Sequence, residues 1–245
     1  LALQKSGGNR LIAAGRNAHK TFLTAAALLD LEIDWLMGEN GNYLSSNITP
    51  EYLENYLKNK DNLPFAIYLT SPDYLGNILD IEKISEVCRK YRVMLLVDNA
   101  HGSYLKFLPH SLHPIDLGAD ICCDSAHKTL PALTGAAYLH ISNRLDGYFK
   151  ENAKSALALF GSTSPSYLIL QSLDALNKYL YEYPSSLKSF TQKLDELKEK
   201  LVDKGFSLVG NEPLKITVST KPYGYEGQEF AEILNNFGIV AEFFD

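Results

Sequence analysis

The sequence has no run of apolar residues long enough to span a membrane, and its opening, Leu1-Ala2-Leu3-Gln4-Lys5, lacks the long apolar segment of a secretory signal. It has no basic stripe either. Lysine and arginine number 23 against 29 aspartate and glutamate, a net charge of −6, and the cations are scattered through helical stretches. That distribution argues against nucleic acid as a partner and favours a small metabolite. Cysteine is scarce: Cys88 and the adjacent Cys122-Cys123 form no metal-spaced set, so no metal centre is expected. An odd count inside apolar patterns reads as buried thiols in a reducing compartment, the cytoplasm. The absence of an initiator Met hints at a truncated chain. What remains is 245 residues, 46% hydrophobic, enough for one substantial core and the start of a second unit.

Short apolar runs alternate with longer amphipathic ones, the pattern of helices covering a largely parallel sheet, so the fold class is α/β. Strands are expected at Leu11 to Ala14, Glu32 to Leu36, Phe65 to Thr70, Val93 to Asp98, Ile121 to Ser125 and Ala136 to Ile141. Helical spacing marks His19 to Asp30, Thr49 to Asn59, Asp80 to Tyr91 and Gln192 to Lys204, and Thr49-Pro50 supplies a cap followed by proline at the first helical position. A long helix from Pro165 is expected to stop near Tyr183-Pro184. Residues 1–183 then form a major domain, and residues 184–245 a connecting helix with a partial small α/β domain. In the latter, Phe206 to Val209, Leu214 to Ser219 and Ile239 to Phe243 read as strands and Gln228 to Phe237 as a helix.

The chemistry centres on two residues thirty positions apart. Asp98 ends the apolar strand Val93-Met94-Leu95-Leu96-Val97, and Lys128 follows another in Asp124-Ser125-Ala126-His127-Lys128-Thr129-Leu130-Pro131. Pyridoxal phosphate needs a lysine amine to hold its aldehyde as a Schiff base and a carboxylate to keep its ring nitrogen protonated. A free lysine is protonated at neutral pH, so Lys128 must be desolvated or lie near positive charge to act as a nucleophile. By spacing alone it is equally a surface lysine in a strand-to-helix turn, and Asp98 equally a helix cap.

The wording around the pair, Asp98-Asn99-Ala100-His101-Gly102 and Ser125-Ala126-His127-Lys128-Thr129-Leu130-Pro131-Ala132-Leu133-Thr134, closely resembles the major domain of the bacterial ornithine/lysine/arginine decarboxylases, strongly over most of residues 10 to 180. The resemblance implies the fold type I pyridoxal architecture. It also implies decarboxylation of a basic amino acid in polyamine metabolism, with Lys128 as the Schiff-base residue and Asp98 as the partner of the ring nitrogen. Asn17-Ala18-His19-Lys20-Thr21 nearly repeats the lysine motif, but the resemblance aligns it with the segment whose histidine stacks on the ring. His19 is then the stacking residue, and Lys20 is not the anchor; the plainer reading of His19 is a helix-start histidine bonded to backbone. Ala100 would pack on the opposite ring face. His101 would orient substrate, move a proton, or simply fill the pocket wall.

Ser125 and His127 match family positions that touch the phosphate. In Gly161-Ser162-Thr163-Ser164-Pro165-Ser166-Tyr167, Ser162 best matches a residue that reaches the cofactor of a neighbouring subunit, so the resemblance implies a homodimer; read alone, the run is equally a capping loop. Thr70-Ser71-Pro72-Asp73-Tyr74-Leu75-Gly76 is expected to shape the substrate pocket wall. Family members begin earlier, with a Ser/Thr-Gly phosphate loop, and continue further. A chain lacking both ends is therefore expected to bind pyridoxal phosphate weakly and to act little on arginine, lysine or ornithine. An aminotransferase or lyase of the same fold, or an impaired remnant that keeps only the fold, fits the same central motifs.

Overall fold

A run of small and apolar residues too short to make a helix, followed by a longer amphipathic stretch, is the local signature from which the architecture grows. The computed structural model describes residues 1–39, 44–162 and 164–244. In chain order it contains α1 (Ala2–Lys5), β1 (Leu11–Gly15), α2 (Lys20–Leu28), β2 (Glu32–Leu36), α3 (Pro50–Lys58), β3 (Ala66–Thr70), α4 (Ile81–Lys90) and β4 (Met94–Asp98). A 3-10 turn at Ser103–Phe107 leads to β5 (Ile121–Asp124), α5 (Ala126–Thr129), β6 (Tyr138–Ile141), α6 (Gly147–Ala158), α7 (Tyr167–Tyr179) and α8 (Tyr183–Asp203). The chain then runs through β7 (Leu208–Val209), β8 (Thr217–Val218), a turn at Lys221–Tyr223 and α9 (Gly227–Asn236).

The main sheet has the order β2-β1-β3-β4-β5-β6. Strands β1 to β5 run parallel, and β6 joins β5 antiparallel. Alternation along each strand divides the core into two layers. Ala13, Ile67, Leu69, Leu95 and Val97 pack on one face against Leu53 and Leu57 of α3 and Ile81, Ile84 and Cys88 of α4. Ile12, Ala14 and Ala66 pack on the other face with Phe22 of α2, backed by Tyr68 and Leu96. The helices begin where side chains satisfy their free N–H groups: Thr49 Oγ1 accepts from Tyr52 N at 3.1 Å, and Asp80 Oδ1 from Lys83 N at 3.2 Å.

The expected strands and the helices at α2, α3 and α4 lie where the pattern places them, within a few residues. Four readings change. The helix from Pro165 ends and a second follows it, as expected, but that second helix, α8, already begins at Tyr183, so the stretch Gln192 to Lys204 is only its second half. Pro184 sits in the first turn of α8, where a missing N–H costs nothing, so it starts a helix. Helix α6 was not legible because Phe149 is its one buried residue, leaving no apolar stripe. Ile239 to Phe243 is not a strand: β7 and β8 pair only with each other over two residues, and Phe243 instead packs against Tyr74 with ring centroids 5.5 Å apart. Finally, Cys88 and Cys122 are buried thiols, but Cys123 is exposed at the carboxyl end of β5. Among the described residues no helix is long and apolar enough to cross a membrane.

Leu95 lies in a central strand with 0% exposure, and Leu159, just past α6, is 75% exposed. Leu95→Ala should lower the unfolding free energy by about 2–5 kcal/mol through lost burial and the cavity left behind. Leu159→Ala should change it by less than about 0.5 kcal/mol. Urea unfolding followed by circular dichroism checks both, and equal effects would show that the core is not built around β4.

Candidate active site

In an open parallel sheet the loops that follow the strands collect at one edge, and this edge carries the chemistry. His19 follows β1, Tyr74 follows β3, Asp98 ends β4 with His101 just beyond, and Lys128 follows β5 in α5. Asp98 is fixed by pleat and register. It pairs with Cys123 of β5 and Thr70 of β3, on the same face as Tyr68 two residues back along β3. The Tyr68 hydroxyl donates to Asp98 Oδ2 at 2.9 Å, Ala100 N donates to Oδ1 at 3.2 Å, and the Cys123 thiol lies 3.9 Å from Oδ1. Burial, with the charge of Asp98 added, pushes the Tyr68 hydroxyl well above its ordinary range, so it stays protonated and remains a donor.

His101 and Lys128 meet across the two loops, with Lys128 Nζ 3.2 Å from His101 Nε2. Burial, then the charges of Lys128, Lys215 and His19, push His101 down to about 4. The imidazole is therefore neutral at physiological pH, and its Nε2 accepts from Lys128. Tyr74 stands edge-on to His101 at 5.6 Å, which puts the Thr70 to Gly76 segment beside the cleft as expected. Lys215 was not foreseen from sequence. It comes from the segment between β7 and β8, where its Nζ lies 3.5 Å from the Asp73 carbonyl and 3.4 Å from that of Tyr74. No local pattern marks it, because only the packing of the C-terminal segment brings it to the cleft.

The remaining expected residues divide. His19 caps α2, with Nδ1 accepting from Thr21 N at 3.3 Å, which is the plainer of the two readings. Ala100 is half-buried in the turn after Asp98. Ser125 precedes α5 without capping it, so its hydroxyl is uncommitted to the helix. His127 Nδ1 donates to the Ala136 carbonyl at 3.0 Å, and its Nε2 can donate to an anion only when the ring is protonated. Ser162 is exposed and bonds within its own loop, its hydroxyl 3.2 Å from the Ser164 carbonyl, so within one chain it joins no other site residue; Thr163 lies outside the described residues. Lys128 is itself exposed, and a single chain does not supply the desolvation expected of it.

The donor set fits pyridoxal phosphate. Asp98 is 8% exposed and takes hydrogen bonds from uncharged groups, and among the described residues it has no cationic partner. A buried carboxylate so placed is complementary to a protonated ring nitrogen. The hydroxyl of Thr70, across the ladder from Asp98, is buried without a partner. Lys128 offers its amine on the neighbouring loop.

The chain matches the family described as Orn/Lys/Arg decarboxylase, major domain, over residues 2–204. It is 32% identical over 248 residues to an arginine decarboxylase of Halalkalibacterium halodurans, covering 95% of this chain and 47% of that protein. The chain spans about half the length of the curated relatives it matches. An archaeal O-phosphoseryl-tRNA(Sec) selenium transferase superposes with a TM-score of 0.71 at 19% identity, over 98% of this chain and 55% of that one. An alanine–glyoxylate aminotransferase from Nostoc superposes with a TM-score of 0.67 at 20% identity, over 96% and 67%. These superpositions show the fold alone, a mostly parallel sheet flanked by helices, which is the fold type I architecture.

The His101 geometry has a titration signature. Its folded value near 4 lies below the ordinary 6.5, so the ring should stay neutral as pH falls from 7 to 5, and NMR should place its midpoint near 4. Lys128→Ala removes the nearest charge and should move that midpoint up, while burial keeps it below 6.5. Lys20→Ala should leave it in place. Equal shifts in the two variants would separate Lys128 from His101.

Proposed function

The chain belongs to the Orn/Lys/Arg decarboxylase major-domain family, a family of pyridoxal phosphate enzymes, and from that membership and the site's geometry we propose that it serves decarboxylation of a basic amino acid, arginine, lysine or ornithine, to the corresponding amine and carbon dioxide. The observation that carries the proposal is the meeting, at one sheet edge, of a buried carboxylate that has no cationic partner among the described residues and a lysine amine 3.2 Å from a neutral histidine. Pyridoxal phosphate, when bound, supplies an electron-accepting ring that stores the electron pair left as the α-carboxylate departs.

The chain's own residues divide the remaining work. Lys128 would supply the amine for the cofactor aldehyde, with His101 Nε2 as its hydrogen-bond acceptor. Asp98, steadied by the Tyr68 hydroxyl, would pair with the protonated ring nitrogen. His19 and Ala100 would flank the ring. Ser125 and His127 would contribute to the phosphate cup. We further propose a homodimer in which Ser162 reaches the cofactor held by a second copy. Tyr167 and Leu168, close to Ser162, are 83% and 68% exposed and give such a contact apolar surface, and covering Lys128 would desolvate its amine. Free thiols at Cys88, Cys122 and Cys123 fit a cytoplasmic setting.

Borohydride reduction of the protein after incubation with pyridoxal phosphate, followed by peptide mapping, should place the label on Lys128. A label on Lys20 with none on Lys128 would overturn the assignment. Asp98→Asn should still take the label, while release of carbon dioxide from carboxyl-labelled arginine, lysine or ornithine falls by roughly 100-fold or more, the scale on which loss of one electrostatic stabiliser acts. Unchanged turnover in that variant would remove Asp98 from the proposed role.

A further inference from the structure

Asp98 and Lys128 stand on different loops, and both have to meet one planar ring, so the spacing between the loops matters as much as either residue. The turn after β4 carries Asp98, Ala100 and His101; the turn after β5 carries Ser125, His127 and Lys128. Asn99 and Asp124 join them. Asn99 N donates to the Cys123 carbonyl at 2.9 Å, and its side-chain Nδ2 donates to Asp124 Oδ1 at 2.7 Å. Asn99 is 0% exposed and Asp124 4%, so this contact is sheltered from water. The turn is closed behind it: Gly102 N donates to the Asn99 carbonyl at 2.8 Å, and a Cβ on Gly102 would lie 1.9 Å from Asn99 Oδ1. Only glycine leaves room for the Asn99 amide in that position.

The carboxylate that receives Asn99 is itself held from two more directions. His113 Nε2, from the loop before β5, and His140 Nε2, from β6, each lie 3.0 Å from Asp124 Oδ2. Ile115 N donates to His113 Nδ1 at 3.3 Å, which puts the ring proton of neutral His113 on Nε2, aimed at the carboxylate. Burial alone would push the Asp124 carboxyl up, but the hydrogen bonds from His113 and His140 override it and hold the group well below the usual carboxylate range. Donors from Asn99, His113 and His140, with the Cys122 thiol 3.5 Å from Oδ1, thus converge on one buried anion at the end of β5.

We propose that Asp124 is a positioning residue: with His113 and His140 it forms a buried brace that grips Asn99 and so fixes the Asp98 and His101 turn relative to Lys128. The inference rests on the reading of the cofactor site given above, but the brace itself is a property of the chain without cofactor. The same three side chains have the spacing of a divalent-metal set, with ligand atoms within 4.8 Å of one another beside a cavity of about 260 Å³. A metal would have to take the Nε2 of His113 that carries the proton, and the Ile115 N–H would then face a protonated Nδ1. The hydrogen-bonded brace gives both Asp124 oxygens and both ring nitrogens of His113 a partner, leaving Asn99 Oδ1 as its one unpaired buried atom among the described residues, whereas a metal would break the Ile115 contact.

The experiment is a mutant cycle in the full protein on Asp124→Asn, Asn99→Ala and the double variant, with His140→Gln as the mildest change because Gln keeps a donor. Folding is checked by far-ultraviolet circular dichroism and thermal unfolding. Without cofactor, Asp124→Asn should raise the NMR midpoint of His101 from about 4, because the turn that carries it is no longer held against Lys128. That readout is independent of whether pyridoxal phosphate binds. With cofactor, the visible circular dichroism band should weaken and kcat should fall on the order of 100-fold with KM within about 2-fold, the scale of a small misplacement of reacting groups. The double variant should be no worse than Asp124→Asn alone. His140→Gln should retain most of the parent signal. If the two single effects add, or the His101 midpoint does not move in a folded Asp124→Asn protein, the brace is overturned. Stoichiometric binding of zinc chloride by calorimetry, lost in Asp124→Asn, would overturn it in favour of a metal centre. A wild-type protein that binds no pyridoxal phosphate at all would sink the cofactor reading while leaving the His101 measurement to decide the brace.

Discussion

The parallel ladder between β4 and β5 is the constraint on which the rest depends. Leu96 pairs with Ile121, Val97 with Cys122 and Asp98 with Cys123, so both strands deliver their following loops to the same edge. A slip of one residue in β4 would turn Asp98 to the opposite face, away from Tyr68, and exchange the residues packed in the two core layers. Burial of Leu95 and Val97 on one face, and the packing of Leu96 on the other, make that slip costly. The register that builds the core therefore also places the carboxylate.

Charge is arranged in depth at this edge. Asp98 takes donors that carry no charge, while Lys128 and Lys215 stand near His101. Collecting cations about a half-buried imidazole keeps that ring neutral, an acceptor beside the Lys128 amine instead of a further positive group. Asp124 shows the opposite balance a few ångströms of chain away: an equally buried carboxyl, made strongly acidic because two histidines and an asparagine donate to it. Two carboxylates on adjacent strands thus occupy different electrostatic environments, one open to a cationic ring and one closed by its neighbours.

The C-terminal part of the chain contributes through contacts as well as through a separate sheet. Asn211 N and Glu212 N both donate to the Gly76 carbonyl at 2.8 Å, and Asn211 Oδ1 accepts from Ile78 N at 2.7 Å. Glu212 is buried against the Tyr104 hydroxyl at 3.2 Å, and burial raises its carboxyl above the usual value. These bonds hold the segment against the loop after β3 and carry Lys215 to the cleft.

Strand positions from Leu11 to Ile141, the cap at Thr49, and the placing of Asp98 at the end of one strand and Lys128 just after another were legible in the sequence, because periodicity and capping are properties of contiguous residues. Helix α6, the absence of a strand at Ile239 to Phe243, the exposure of Cys123 and Lys128, and the internal bonding of Ser162 were not legible, since each depends on what lies beside a segment in space. The same holds for Tyr68 on Asp98, Lys215 near His101, and the histidines on Asp124, whose partners lie 30, 114, 11 and 16 residues away along the chain. The sequence by itself determined which backbone stretches become strands and which chemical groups end them. Only the tertiary structure decided which of those groups share a cleft, because hydrogen bonds and desolvation act over a few ångströms regardless of how far apart the residues stand in the chain.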